Sequence, residues 1–109
     1  MNTNNIENKK RLTLSELEYR AKSGRTEDID ILMETLEPGG SFLHLKMVDY
    51  ALGLVSTEEG RTRVKYYLLN GNKIQRNYAA LYFKRLGANI ILQEAVRNGS
   101  IDEIQAFSR

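Results

Sequence analysis

The residue types able to do covalent or metal chemistry are few in this chain, and they stand apart. There is no cysteine, which removes thiolate metal sites, cysteine nucleophiles and disulfide scaffolds together. His44 is the single histidine. It follows Phe42-Leu43 near the expected start of a helix, with no nucleophile or carboxylate at a spacing that would make it a general base. A zinc or iron site would depend almost wholly on carboxylates. Glu27, Asp28, Asp30 and Glu34 are the densest such group, but they lack the glycine-containing spacing of a calcium loop. Glu27 and Asp28 instead suit the positive end of a helix dipole. Asn70-Gly71-Asn72 and Pro38-Gly39-Gly40 are turn formers without the lysine and hydroxyl of a phosphate loop. The chain therefore reads as non-enzymatic, with no cofactor and no metal.

Binding chemistry is better represented. From Gly60 to Gln93 the chain carries seven bases, Arg61, Arg63, Lys65, Lys73, Arg76, Lys84 and Arg85, and no acid. From Thr26 to Glu59 the balance is opposite, with eight acids against Lys46. Such asymmetry bears on partners more than on fold. The seven bases are candidates for a surface that binds phosphate or an acidic partner; the alternative is an ordinary solvated helix surface. Tyr66, Tyr67, Tyr78, Tyr82 and Phe83 interleave with them, as stacking platforms for single-stranded nucleic acid do. Tyr67, Tyr78 and Tyr82 also recur at helical spacing, which points to packing between helices.

The elements that must position these groups are helices. At 109 residues, with 41% apolar and 28% charged residues, the composition is that of one globular domain over residues 13–109. Residues 1–12 are polar and basic and are expected to form a mobile arm. No apolar run approaches the ~20 residues needed to span a bilayer, and no secretory leader is visible, so the expected location is cytoplasmic.

Seven helices are predicted. Thr13-Leu14-Ser15-Glu16 is a capping box opening the first, which Ser23-Gly24 closes. The second starts at Thr26, repeats Ile29, Leu32, Met33 and Leu36 at helical spacing, and is stopped by Pro38-Gly39-Gly40. Ser41 caps a third, apolar around most of its circumference and expected to be buried on more than one side. Ser56 to Glu59 reads as a second capping box, opening a helix that ends at Asn70-Gly71. A fifth runs from Lys73 to Leu86 and stops at Gly87, a sixth spans about Asn89 to Asn98, and Ser100 to Glu103 caps a seventh. Connections of about two to four residues make neighbours antiparallel. No segment alternates as a strand would.

Asp49-Tyr50-Ala51-Leu52-Gly53 is echoed 28 residues later by Asn77-Tyr78-Ala79-Ala80-Leu81, a weak internal repeat. The second copy, from Asn72 to Gly99, resembles a HEAT-type repeat of the short variety named after phycobilisome lyases. Arg76, the Ala79-Ala80 pair, Leu86-Gly87 and Asn98-Gly99 carry the likeness. The resemblance implies an all-α fold of antiparallel helix pairs stacked as a short superhelix. It also implies a protein-binding scaffold, since most such proteins serve that role, although some are lyases or alkylation-repair proteins. The matching Arg in that pattern often packs within its own repeat, so Arg76 is expected to pair with an acid of the preceding repeat, such as Asp49. The leading expectation is a protein-interaction module; the alternative is a nucleic-acid or phosphate-binding domain using Arg61 to Arg85. The thin final helix, with Ile101, Ile104 and Phe107, leaves an end of the stack poorly covered and predicts homodimerisation there.

Overall fold

The computed structural model describes residues 12–108, so all but the last residue of the expected arm lies outside the described residues. Seven helices occur among them: α1 (Leu14–Ser23), α2 (Thr26–Glu34), α3 (Phe42–Leu52), α4 (Glu58–Asn70), α5 (Lys73–Leu86), α6 (Asn89–Arg97) and α7 (Glu103–Phe107). They account for 73% of the described residues, with no strand, as the helical spacing predicts. No described helix is long and apolar enough to cross a membrane. Nor do the described residues contain a group of three or more His, Asp or Glu able to hold a metal ion.

The helices gather into two compact units, one ending at Arg61 and the other beginning at Thr62, so that the division falls within α4. In the first unit α1 lies against both α2 and α3. Leu17, Ala21, Ile29, Leu32, Met33, Val48 and Leu52 supply its apolar centre, each 1% exposed or less. In the second, α5 lies against α6 and α7, which also touch each other. Ala79, Ala80, Phe83, Leu92, Ala95 and Ala106 are buried there. Small side chains let helix axes approach closely, and the Ala79-Ala80 pair occupies the buried face of α5.

Local signals set most boundaries. Thr13 Oγ1 accepts from Glu16 N–H while Glu16 returns a bond to Thr13 N–H, and Ser41 caps α3 at His44 N–H. Gly24 and Gly87 end α1 and α5 in the left-handed conformation, with φ of 67° and 71°. Asn72 and Gln75 form a further capping box at α5.

Five expectations are corrected. α2 ends at Glu34, not at the Pro-Gly-Gly turn: the N–H groups of Thr35 and Leu36 turn to the i−3 carbonyls of Leu32 and Met33, at 3.2 and 3.1 Å, and the Thr35 hydroxyl also donates to the Leu32 carbonyl at 2.6 Å. The cap of α4 is Thr57 rather than Ser56, its Oγ1 accepting from Gly60 N–H at 2.9 Å. That of α7 is Asp102 rather than Ser100. Connections over residues 35–41, 53–57 and 98–102 are consequently longer than predicted. Finally, α3 is buried along one face only. Val48, Ala51 and Leu52 are covered, whereas Phe42, Leu43 and Tyr50 are 74%, 69% and 54% exposed. Its apolar circumference exceeds what α1 can cover.

Candidate functional site

The seven bases are distributed over both units. Arg61 is exposed and belongs to the first unit, while the other six belong to the second. On α4, the Arg63 guanidinium lies over the Tyr66 ring, 4.2 Å from its centroid, and 5.5 Å from that of Tyr67. Lys65 approaches Glu94 of α6 at 3.8 Å, an exposed pair of small energetic weight. Lys73 is exposed at the start of α5, eleven residues before Lys84. At 1.5 Å of rise per residue their Cα atoms stand roughly 16 Å apart along the axis.

Arg76 is half-buried and acts within the fold. Its Nη1 donates to the Gly71 carbonyl at 2.9 Å, and its Nε is buried without a hydrogen-bond partner. Gly71 follows the last residue of α4, so the cation satisfies a carbonyl at the negative end of that helix. The described bond therefore runs to a backbone carbonyl in the turn before α5. Replacing Arg76 by Glu is expected to destabilise the protein by about 1–3 kcal/mol, since it removes a charge-assisted bond and sets a carboxylate against that carbonyl. Arg61→Glu, at an exposed position, should leave the melting temperature nearly unchanged. Thermal melts of the two variants check the contrast.

Lys84 and Arg85 stand where the second unit has its groove. The end of α5, the start of α6 and the end of α7 enclose an open space of about 370 Å³. Leu81, Ala106 and Phe107 give it apolar walls; Lys84, Arg85 and Asn89 give it polar ones. Lys84 Nζ donates to the main-chain carbonyl of Ser108 at 2.8 Å, fixing the ammonium at the rim. Among the described residues, none with a carboxylate side chain lines the groove. Of the aromatics read as stacking platforms, Tyr82 and Phe83 are buried and meet edge to face at 5.0 Å, so they are core groups.

Two arrangements in the first unit escape sequence reading. Asp28, assigned above to the helix dipole, is 4% exposed and ties α1 to α2. Arg20 Nη1 reaches its Oδ1 at 2.6 Å, the Ser23 hydroxyl donates to Oδ2, and Arg25 Nε lies 3.4 Å from the same oxygen. Burial would push the carboxyl up, but the bonds from Ser23 and Arg20 and the charges of Arg20 and Arg25 outweigh it and hold the group below its ordinary value. Glu59 leaves its own helix and accepts from both the N–H and the hydroxyl of Thr26, at 2.8 and 3.0 Å. It thereby caps α2, whose N-cap residue Arg25 supplies no side-chain bond, and the backbone bond from Thr26 draws its pKa down. The spacing of a capping box was the available signal for Glu59, but it indicated the wrong helix.

On α3 the exposed residues Phe42, Leu43 and Tyr50 share one face with Lys46, whose ammonium lies 5.0 Å from the centre of the Phe42 ring. His44 is half-buried, and its Nε2 is buried without a hydrogen-bond partner. Comparison of the chain with protein-family models, with curated proteins and with solved structures finds no match.

Proposed function

We propose that this chain is a non-enzymatic protein-interaction module built of HEAT-like helix pairs, working in the cytoplasm. The observation that carries the reading is the outer face of α3, where Phe42, Leu43 and Tyr50 are 74%, 69% and 54% exposed on a helix whose opposite face already fills the core. Contiguous apolar surface of this kind marks binding sites more often than idle surface. The α5–α6 pair, reversed tightly at Gly87 and packed through Ala79 and Ala80, is in keeping with the repeat resemblance. Homodimerisation is part of the proposal, because Ile104 and Phe107 on the short α7 are 72% and 47% exposed at the end of the second unit.

The nucleic-acid alternative has less support. Arg63, Lys65, Arg76 and Lys84 each engage a group of their own chain, which lowers the number of cations available to a phosphate backbone. A salt series separates the two readings, since a phosphate binder loses affinity steeply as salt rises and a partner held by apolar burial does not.

Recovery of the native partner with the full chain, followed by affinity measurement on the double variant Phe42→Ser, Leu43→Ser, tests the proposal. The expected result is a melting temperature within about 2 °C of the unsubstituted protein, because both positions are exposed, and at least a tenfold loss of affinity. Unchanged affinity would remove α3 from the interaction. Light scattering at high micromolar concentration tests the dimer.

A further inference from the structure

Two exposed apolar faces, one in each unit, carry opposite charges. On α3, Lys46 stands among Phe42, Leu43 and Tyr50, its ammonium 5.0 Å from the centre of the Phe42 ring. On α7, Glu103 is exposed and precedes Phe107 by one helical turn, on the side that also presents Ile104. Each of these charges is the one that its surroundings lack. From Thr26 to Glu59 there are eight acids, and Lys46 is the only base; from Thr62 to Arg109 there are eight bases, and Glu103 is one of three acids. The α3 face, set in an acidic stretch, therefore fits a basic surface that presents an acid among apolar residues, and α7 has that composition. The α7 face asks for the converse, and α3 supplies it. Pairing α3 with α3, or α7 with α7, would set surfaces of like sign together, which opposes association.

We propose that a second copy of this chain covers α3, laying its Ile104 and Phe107 against Phe42, Leu43 and Tyr50 and its Glu103 against Lys46. One such contact is small, but a closed pair of copies makes it twice, each copy giving one surface of each kind. Apolar burial holds the contact. The pair of Lys46 with Glu103 decides which face meets which, because opposite charges steer the encounter and a like charge in the same place costs affinity. The inference rests on the interaction and dimer readings above and goes further than both: it names the occupant of α3 and joins two different surfaces in one contact.

Sedimentation equilibrium of the full chain tests the pairing with three samples: Lys46→Glu, Glu103→Lys, and an equimolar mixture of the two. Either variant alone sets like charges at both contacts, acid on acid in the first and base on base in the second, and is expected to weaken the dimer by about tenfold or more. The mixture restores opposite charges at both contacts, so its dissociation constant should return to within about threefold of that of the unsubstituted chain. Leu43→Ser and Ile104→Ser, on different helices, should each weaken the dimer while leaving the melting temperature nearly unchanged, because both positions are exposed. A mixture no tighter than its two components would overturn the proposal, as would a dimer indifferent to Lys46→Glu or to Leu43→Ser. An unsubstituted chain that stays monomeric at high micromolar concentration overturns it together with the dimer. If Phe42→Ser, Leu43→Ser then still releases a native partner of another sequence, the interaction reading stands and this inference alone falls.

Discussion

Gly24→Ala is expected to lower the melting temperature by about 10 °C or more, the largest effect of any single-methyl addition in the chain. Gly24 has φ of 67°, a conformation that costs an L residue roughly 1–2 kcal/mol. Its added Cβ would also stand 2.0 Å from Thr57 Oγ1 and 2.8 Å from Thr57 Cβ. That hydroxyl cannot simply rotate away, because it donates to the Gly24 carbonyl at 3.0 Å and accepts from Gly60 N–H at 2.9 Å. Displacing it uncaps α4, at roughly 1 kcal/mol more. Gly60 closes the same contact from the other side, its added Cβ falling 2.7 Å from Val55 Cγ1. With about 4–8 °C per kcal/mol in a domain of this size, the sum gives the stated shift. Gly87→Ala is the control: φ is 71°, yet nothing lies within 4 Å of its Cβ position, so only the backbone cost of about 1–2 kcal/mol should appear. Circular dichroism melts of the two variants separate backbone strain from the collision with Thr57.

Asp28→Asn should cost about 2–4 kcal/mol, by leaving Arg20 and the Ser23 hydroxyl around a group that can no longer carry charge. The pH dependence follows from the direction of its pKa. A carboxyl held below its ordinary 3.8 in the folded state, and returned to it on unfolding, contributes stability that is complete above about pH 4 to 5. That contribution disappears as pH falls through the lower, folded value. Glu59, lowered by its bonds to Thr26, acts in the same direction. The unsubstituted protein should therefore lose stability on acidification below about pH 4, and Asp28→Asn should flatten that part of the curve. Melts from pH 7 to pH 2.5 read both effects; parallel curves for the two proteins would remove Asp28 from the acid response.

What could be read from sequence was mostly local. Thr13 with Glu16, Ser41, Gly24 and Gly87 each act within one turn of their own backbone, so residue type and spacing were enough to place them. Ser56 and Ser100 show the limit, since capping residues close together compete and the chain path chooses Thr57 and Asp102. Asp28 and Glu59 show another. Their partners are decided by which helix ends meet, and a first-turn carboxylate looks the same whether it serves its own dipole, a buried arginine or a neighbouring helix. α3 was misread for a related reason: periodicity counts apolar residues on each face but carries no information on whether a neighbour arrives to cover them. Charge singles out the basic residues in the sequence, but only the fold shows that Arg76 is taken by the turn before its helix while Lys84 and Arg85 border an opening.

The seven-residue connection between α2 and α3 makes the chain divisible without loss of its local anchors. On one side Thr35 closes α2 onto Leu32, and on the other Ser41 opens α3 at His44, each bond contained in its own helix. Between them Pro38, Gly39 and Gly40 are exposed, and Gly39, at φ of 81°, has no atom within 4 Å of where a side chain would begin. A peptide cargo spliced between Gly39 and Gly40 would break neither anchor, and each doubling of its length would add only about 0.6 kcal/mol of closure entropy. An affinity tag or a fluorescent reporter can thus be carried inside the first unit, with the helices on either side of it still held by their own caps.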